Sequence, residues 1–156
     1  MKNFPDKNLI IDAVNKFSDT VFCIAFQYTK NRPDAEDVLQ EVFLKLLKKP
    51  PATKNDGGLK AWLIRVTINK SKDFLRANKR RRAALQACSY PKQPDFFNEV
   101  LQSFDSLPER DRNALYLHYY EGYTAREIAE ILGDNERAVT KRICRAREKL
   151  KAILEE

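Results

Sequence analysis

The stretch TAREIAEILGDNERAVTKRI, residues 124–143, interrupts a helical pattern at Gly133 and resumes it at once. Thr124 with Glu127 three residues on forms a capping box, the signature of a helix start. Gly133 ends that helix in a left-handed conformation that side chains with a Cβ resist. Asn135 is placed to cap the next helix. Ala129, before the glycine, is small enough for two helices to cross closely, and Val139, after it, can pack back into the crossing. These offsets predict a helix-turn-helix.

The second helix of that pair divides by face. Val139, Ile143, Ala146, Leu150 and Ile153 form one apolar stripe at helical spacing. The opposite face carries Arg137, Thr140, Lys141, Cys144, Arg145 and Glu148. From Asn135 to Lys151 basic residues outnumber acidic ones 7 to 2. A packed hairpin needs no such charge, whereas a helix lying in the major groove does. Arg and Lys suit guanine and phosphate, and Thr can meet a thymine methyl.

Upstream, residues 107–122 (LPERDRNALYLHYYEG) predict a helix with Pro108 in its first turn and Leu115 and Tyr119 on one face, ended by Gly122. A short helix is expected near residues 95–106. Residues 85–97 contain two prolines and weak periodicity, which predicts a linker too short to let its flanks separate far. The chain is therefore expected to be all-α: two small helical domains, 1–84 and 98–156, joined by 85–97, the second containing the helix-turn-helix.

In the first half, Ile10, Val14, Phe17, Val21, Ile24 and Ala25 recur at helical spacing over residues 9–30. A second helix, 33–49, opens on Pro33 and the acids Asp34, Glu36 and Asp37. Val38, Leu39, Val42, Phe43 and Leu46 lie on one side of it; Asp37, Gln40, Glu41, Leu44 and Leu47 lie largely on the other. Leucines beside acids are either incidental exposure or the anchors of a docking surface, and spacing leaves both open. KPPATKNDGG, 49–58, reads as a loop.

The third helix, residues 59–82, sets Lys60, Arg65, Lys70, Lys72, Arg76, Lys79, Arg80, Arg81 and Arg82 against one acid, Asp73. Two basic surfaces on one chain imply two contacts on one polyanion. Aromatics among cations suit unstacked bases, although Trp62 is better read as a core anchor. Asn69 either reads a base edge or is a buried, hydrogen-bonded asparagine.

Bulk properties agree with this reading. The 156 residues are 43% apolar and 33% charged, with only 4 glycines and a net charge of +7. The isoelectric point is about 9.3, which points to an anionic partner. No apolar run approaches a membrane span, and the N-terminus lacks a signal-peptide pattern, so no membrane insertion and a cytoplasmic location are expected. Cys23, Cys88 and Cys144 are too scattered for a disulfide framework, and His118 is the only histidine. No catalytic site, metal site or cofactor is expected. A nuclease would need clustered carboxylates, whereas the acids here lie along helix surfaces. Cys144, among cations, suggests a redox switch on DNA binding, but a small tolerated residue is the simpler reading. A stand-alone helix-turn-helix regulator would explain the second half of the chain but not the basic third helix.

DAEDVLQEVFLKLL, AWLIRVTINKSKDFLR, LPERDRNALYLHYYEGYTAREIAEIL and RAREKL, in that order, resemble the bacterial sigma-70 family. The two-domain form looks like its extracytoplasmic-function (ECF) group. The resemblance implies an RNA polymerase sigma factor that binds core polymerase, recognises −10 and −35 promoter elements and promotes melting. It implies that Asp37, Gln40, Glu41, Phe43, Leu44 and Leu47 dock on the coiled-coil of the largest polymerase subunit. The loop 50–60, with Lys54 and Asn55, resembles the segment that captures a flipped −10 base. Lys60, Trp62, Arg65, Asn69, Lys72, Arg76 and Arg80 would contact and help melt that element. Thr124, Arg126, Asn135, Glu136, Arg137, Thr140, Lys141, Cys144 and Arg145 would contact the −35 element, in a domain that also touches the polymerase flap. An anti-sigma factor is a further implied partner. The chain departs from the family in having Ala138 where Thr is usual, and Asp134 and Asn135 where an apolar residue commonly leads. Its −10 loop is poor in aromatics. These departures bear on promoter sequence rather than on role.

Overall fold

The computed structural model describes residues 7–53, 55–84 and 106–154, without the side chains of 80–84, 153 and 154. The described residues form six helices and no strand: α1 (Lys7–Thr29), α2 (Arg32–Lys48), α3 (Asp56–Ala84), α4 (Glu109–Tyr119), α5 (Ala125–Leu132) and α6 (Glu136–Leu154). The chain divides into two compact units, Met1–Ser89 and Tyr90–Glu156. The expected linker 85–97 and short helix 95–106 lie outside the described residues, apart from Ser106.

The first unit is a three-helix assembly. Ala13, Phe17, Val21 and Ala25 of α1 meet Ala35, Val38, Val42 and Leu46 of α2 and Leu59, Leu63 and Val66 of α3. Each fully buried Val or Leu contributes roughly 1.5–3 kcal/mol relative to exposure. The α1–α2 corner is built from local chemistry. Lys30 adopts a left-handed φ of 62°. The Asp34 N–H then donates to Asn31 Oδ1 at 2.9 Å, capping α2 just ahead of Pro33.

α3 begins three residues earlier than its periodicity predicts, so residues 56–58 of the expected loop are helical. Asn55 is the reason. Its Oδ1 accepts the Gly58 N–H at 2.6 Å, and its carbonyl accepts the Leu59 N–H at 3.0 Å. Gly58 is needed there because a Cβ would come within 2.3 Å of the Thr53 hydroxyl. The new first turn is tied to α1 by Lys16, whose Nζ lies 3.0 Å from Asp56 and 3.1 Å from Asp12. These two acids, Asp56 foremost, hold the Lys16 ammonium above its ordinary pKa.

In the second unit, α4 is enclosed: residues 111–117 are buried without a break, including Asp111, Arg112 and Asn113. Pro108 is its N-cap rather than a first-turn residue. Tyr119 does not share the fate of Leu115. It is 56% exposed, with Arg147 lying 5.2 Å over its ring. Burial along α4 is unbroken only from Asp111 to Leu117, and Tyr119 is the last residue of the helix. Gly122 follows at φ 77°, and the Tyr123 N–H closes back on Leu117 O at 3.0 Å.

Candidate nucleic-acid interface

The helix-turn-helix forms as its spacing predicts. Thr124 and Glu127 make a reciprocal capping box at the start of α5. Gly133 is left-handed at φ 69°, and the Asp134 N–H donates to Ala129 O at 2.8 Å across the turn. A Cβ at Gly133 would meet nothing within 4 Å, so the glycine is required by conformation and not by space. Asn135 Oδ1 accepts the Ala138 N–H at 2.8 Å and starts α6.

Along α6, Val139, Ile143 and Ala146 are buried and Leu150 is half-buried; the Ile153 side chain lies outside the described residues. Glu136, Arg137, Thr140, Lys141, Cys144, Arg145 and Glu148 are all exposed, as are Thr124 and Arg126. Several candidate contacts also serve the fold. The Thr124 oxygen and Asn135 Oδ1 are engaged in caps. The Thr140 hydroxyl donates to Glu136 O at 2.9 Å. Arg126 lies 3.9 Å from Glu130, an exposed and therefore weak pair.

Two ion pairs had no signal in the linear pattern. Arg142 turns away from the exposed face and pairs with Asp134. Arg142 foremost, then the Asn135 N–H, hold the Asp134 carboxyl below its ordinary pKa. Arg145 Nε lies 3.3 Å from Oδ2 of Asp111 on α4. Helical periodicity assigns faces within one helix; it does not say which acid a neighbouring helix supplies.

On α3, Trp62, Arg65, Asn69, Lys72 and Arg76 fall in one stripe about 80° wide at about 100° per residue. Arg65, Asn69 and Arg76 are exposed, which removes the buried-asparagine reading of Asn69. Trp62 is half-buried against the core, as an anchor would be. Lys60 and Lys72 are half-buried, and Arg76 lies 3.8 Å from Asp73. Asn55 is spent on its cap. Lys54 and the Arg80 side chain lie outside the described residues.

On α2, Asp37, Gln40 and Glu41 are exposed beside Leu44 and Leu47, themselves 49% and 39% exposed. Phe43 differs from them. It is half-buried and packs on the core of its own unit. No cluster of His, Cys, Asp or Glu able to hold a metal occurs among the described residues. No described helix is long and apolar enough to cross a membrane.

These surfaces belong to a known pattern. The family model for Sigma-70 region 2 matches residues 13–81, and that for Sigma-70, region 4 matches residues 97–150. The chain is 30% identical to the RNA polymerase sigma factor SigV of Bacillus subtilis, over 90% of this chain and 87% of that protein. It is 31% identical to the ECF RNA polymerase sigma-E factor of Escherichia coli, over 74% and 71%. Among solved structures, CnrH, in complex with the cytosolic domain of CnrY, has a TM-score of 0.74 at 25% identity, covering 96% of this chain and 90% of that one. RpoE from Bartonella quintana, in complex with the anti-sigma factor NepR, shares the fold at a TM-score of 0.76 and 20% identity, covering 93% and 96%. The chain belongs to the sigma-70 family of RNA polymerase sigma factors, in its ECF group.

Proposed function

We propose that this chain is the promoter-recognition subunit of a bacterial RNA polymerase. α2 docks on core polymerase, α3 engages and helps open the −10 element, and α6 reads the −35 element. The observation that carries this reading is α6 itself: an exposed cationic face backed by a buried apolar stripe, closed at Gly133 into a helix-turn-helix. Phosphate contacts supply most of the affinity and make it salt-dependent. A few base contacts, each worth roughly 1–3 kcal/mol, discriminate promoters. Holding an unpaired base favours the melted state, so no catalytic step is needed to open DNA. Sigma factors are, as a class, non-enzymatic initiation factors. An anti-sigma factor is a further proposed partner, one such protein being bound to the Bartonella neighbour. The proposed location is the cytoplasm, where the polymerase works.

The test is promoter binding and transcription in vitro with and without core polymerase. Specific binding and run-off transcripts should require both components. Tight, specific binding by the chain alone would instead identify a self-sufficient regulator.

A further inference from the structure

We propose that Asp111 is a positioning residue for promoter binding: its buried carboxylate holds the Nε edge of Arg145, so that this guanidinium meets the DNA backbone already oriented. The proposal rests on the reading of α6 as the −35 helix. Asp111 stands in the first turn of α4, outside the helix-turn-helix, with its side chain only 3% exposed. Its Oδ2 accepts no aligned hydrogen bond yet lies 3.3 Å from Arg145 Nε. Burying a carboxylate is costly unless something compensates it. The positive end of α4 compensates in part, and Arg145 is the cation facing it.

Arg145 remains 58% exposed while its Nε lies beside the carboxylate, and it shares the open face of α6 with Arg137 and Lys141. Arginine suits such a double role. Its five N–H groups point in different directions from one plane, so one edge can face an acid while the rest face a phosphate. A long side chain that is already tethered loses less rotamer freedom on binding than a free one. Asp111 is too buried to touch DNA and acts only through Arg145.

The experiment is a double-mutant cycle on full-length protein bound to core polymerase, with Asp111→Asn, Arg145→Met and both. Binding is compared on a promoter with its −35 element and on one with that element scrambled. Asp111→Asn should weaken −35-dependent binding roughly three- to tenfold, the cost of freezing one long side chain. In the Arg145→Met background the same change should have no effect. A purely structural role would give equal losses in both backgrounds and overturn the proposal. Tighter binding by Asp111→Asn would also overturn it, because the carboxylate would then be repelling DNA or withholding Arg145. If Asp111→Asn does not fold, Asp111→Ser replaces it in the cycle. Nitrogen-15 relaxation of the free chain gives a second readout: the Arg145 Nε–H bond should be more ordered in the wild type than in Asp111→Asn, and equal order in the two would sink the idea. Failure of the −35 reading would look different, since wild-type holoenzyme would then bind both promoters equally; the proposal would fall with it.

Discussion

Lys141 faces outward from α6, while Arg142, its neighbour, turns back to Asp134 at the turn. The two cations therefore do different work. Arg142 lowers the Asp134 pKa, so the pair's stabilisation is fully present above the unfolded carboxylate value of about 3.9. It is lost as pH falls through the lower folded value. Comparing Asp134→Asn with the wild type by thermal melts should show a constant Tm gap from pH 7 to about 5 that closes below about 3.9. A gap that persisted unchanged into strong acid would mean the pair contributes nothing through charge. For DNA, Arg137→Gln and Lys141→Gln should each weaken promoter binding by holoenzyme and lower the salt slope by about 1. Arg142→Gln should lower Tm instead and leave that slope alone.

At the level of the helix, α2 separates the core of its unit from the proposed polymerase-docking residues by face. Leu46, on the covered side, is almost fully buried, and Leu46→Ala should cost about 2–5 kcal/mol of stability. Leu44 and Leu47 stand in solvent beside Gln40 and Glu41. Replacing both with glutamate should move the folding free energy by no more than about 1 kcal/mol, yet reduce core-polymerase association at least tenfold. Pull-down with core polymerase and a parallel melt distinguish the two effects. The same helices show what was legible beforehand. The capping box at Thr124, the left-handed Gly133 and the buried stripe of α6 follow from short-range spacing, and all are present. The start of α3 was misplaced because paired glycines read as a loop, whereas the Asn55 cap starts the helix through them and Thr53 crowds the place a Cβ would take at Gly58. Leu115 and Tyr119 stand one turn apart as their spacing predicts, but spacing does not report that the last residue of α4 is exposed. The partners of Arg142 and Arg145 depend on a turn and on a separate helix, which no periodicity reports.

For the whole molecule, the net charge of +7 is unevenly spread: Met1–Ser89 holds 18 basic and 9 acidic residues and Tyr90–Glu156 holds 11 and 13, yet each unit carries an exposed cationic face. If both grip one promoter, their phosphate contacts should sum. Arg65→Gln on α3 and Lys141→Gln on α6 should together lower the holoenzyme's salt slope by about 2, near the total of the single changes. A double variant no different from either single one would mean that only one unit holds DNA under the conditions tested.

The stripe on α3 has a consequence for how such a protein can diversify. Apolar and small residues occupy the sides of that helix that face its own unit, and Arg65, Asn69 and Arg76 occupy an outer strip that the core does not use. The proposed reading strip and the scaffold share one rod but almost no letters. The outer letters can therefore drift, or be exchanged by an engineer, without unsettling the architecture beneath. Trp62 is the exception, since it packs on the core and is also a proposed −10 contact. A graft meant to redirect the protein to new genes should rewrite the three outer positions and leave that indole in place.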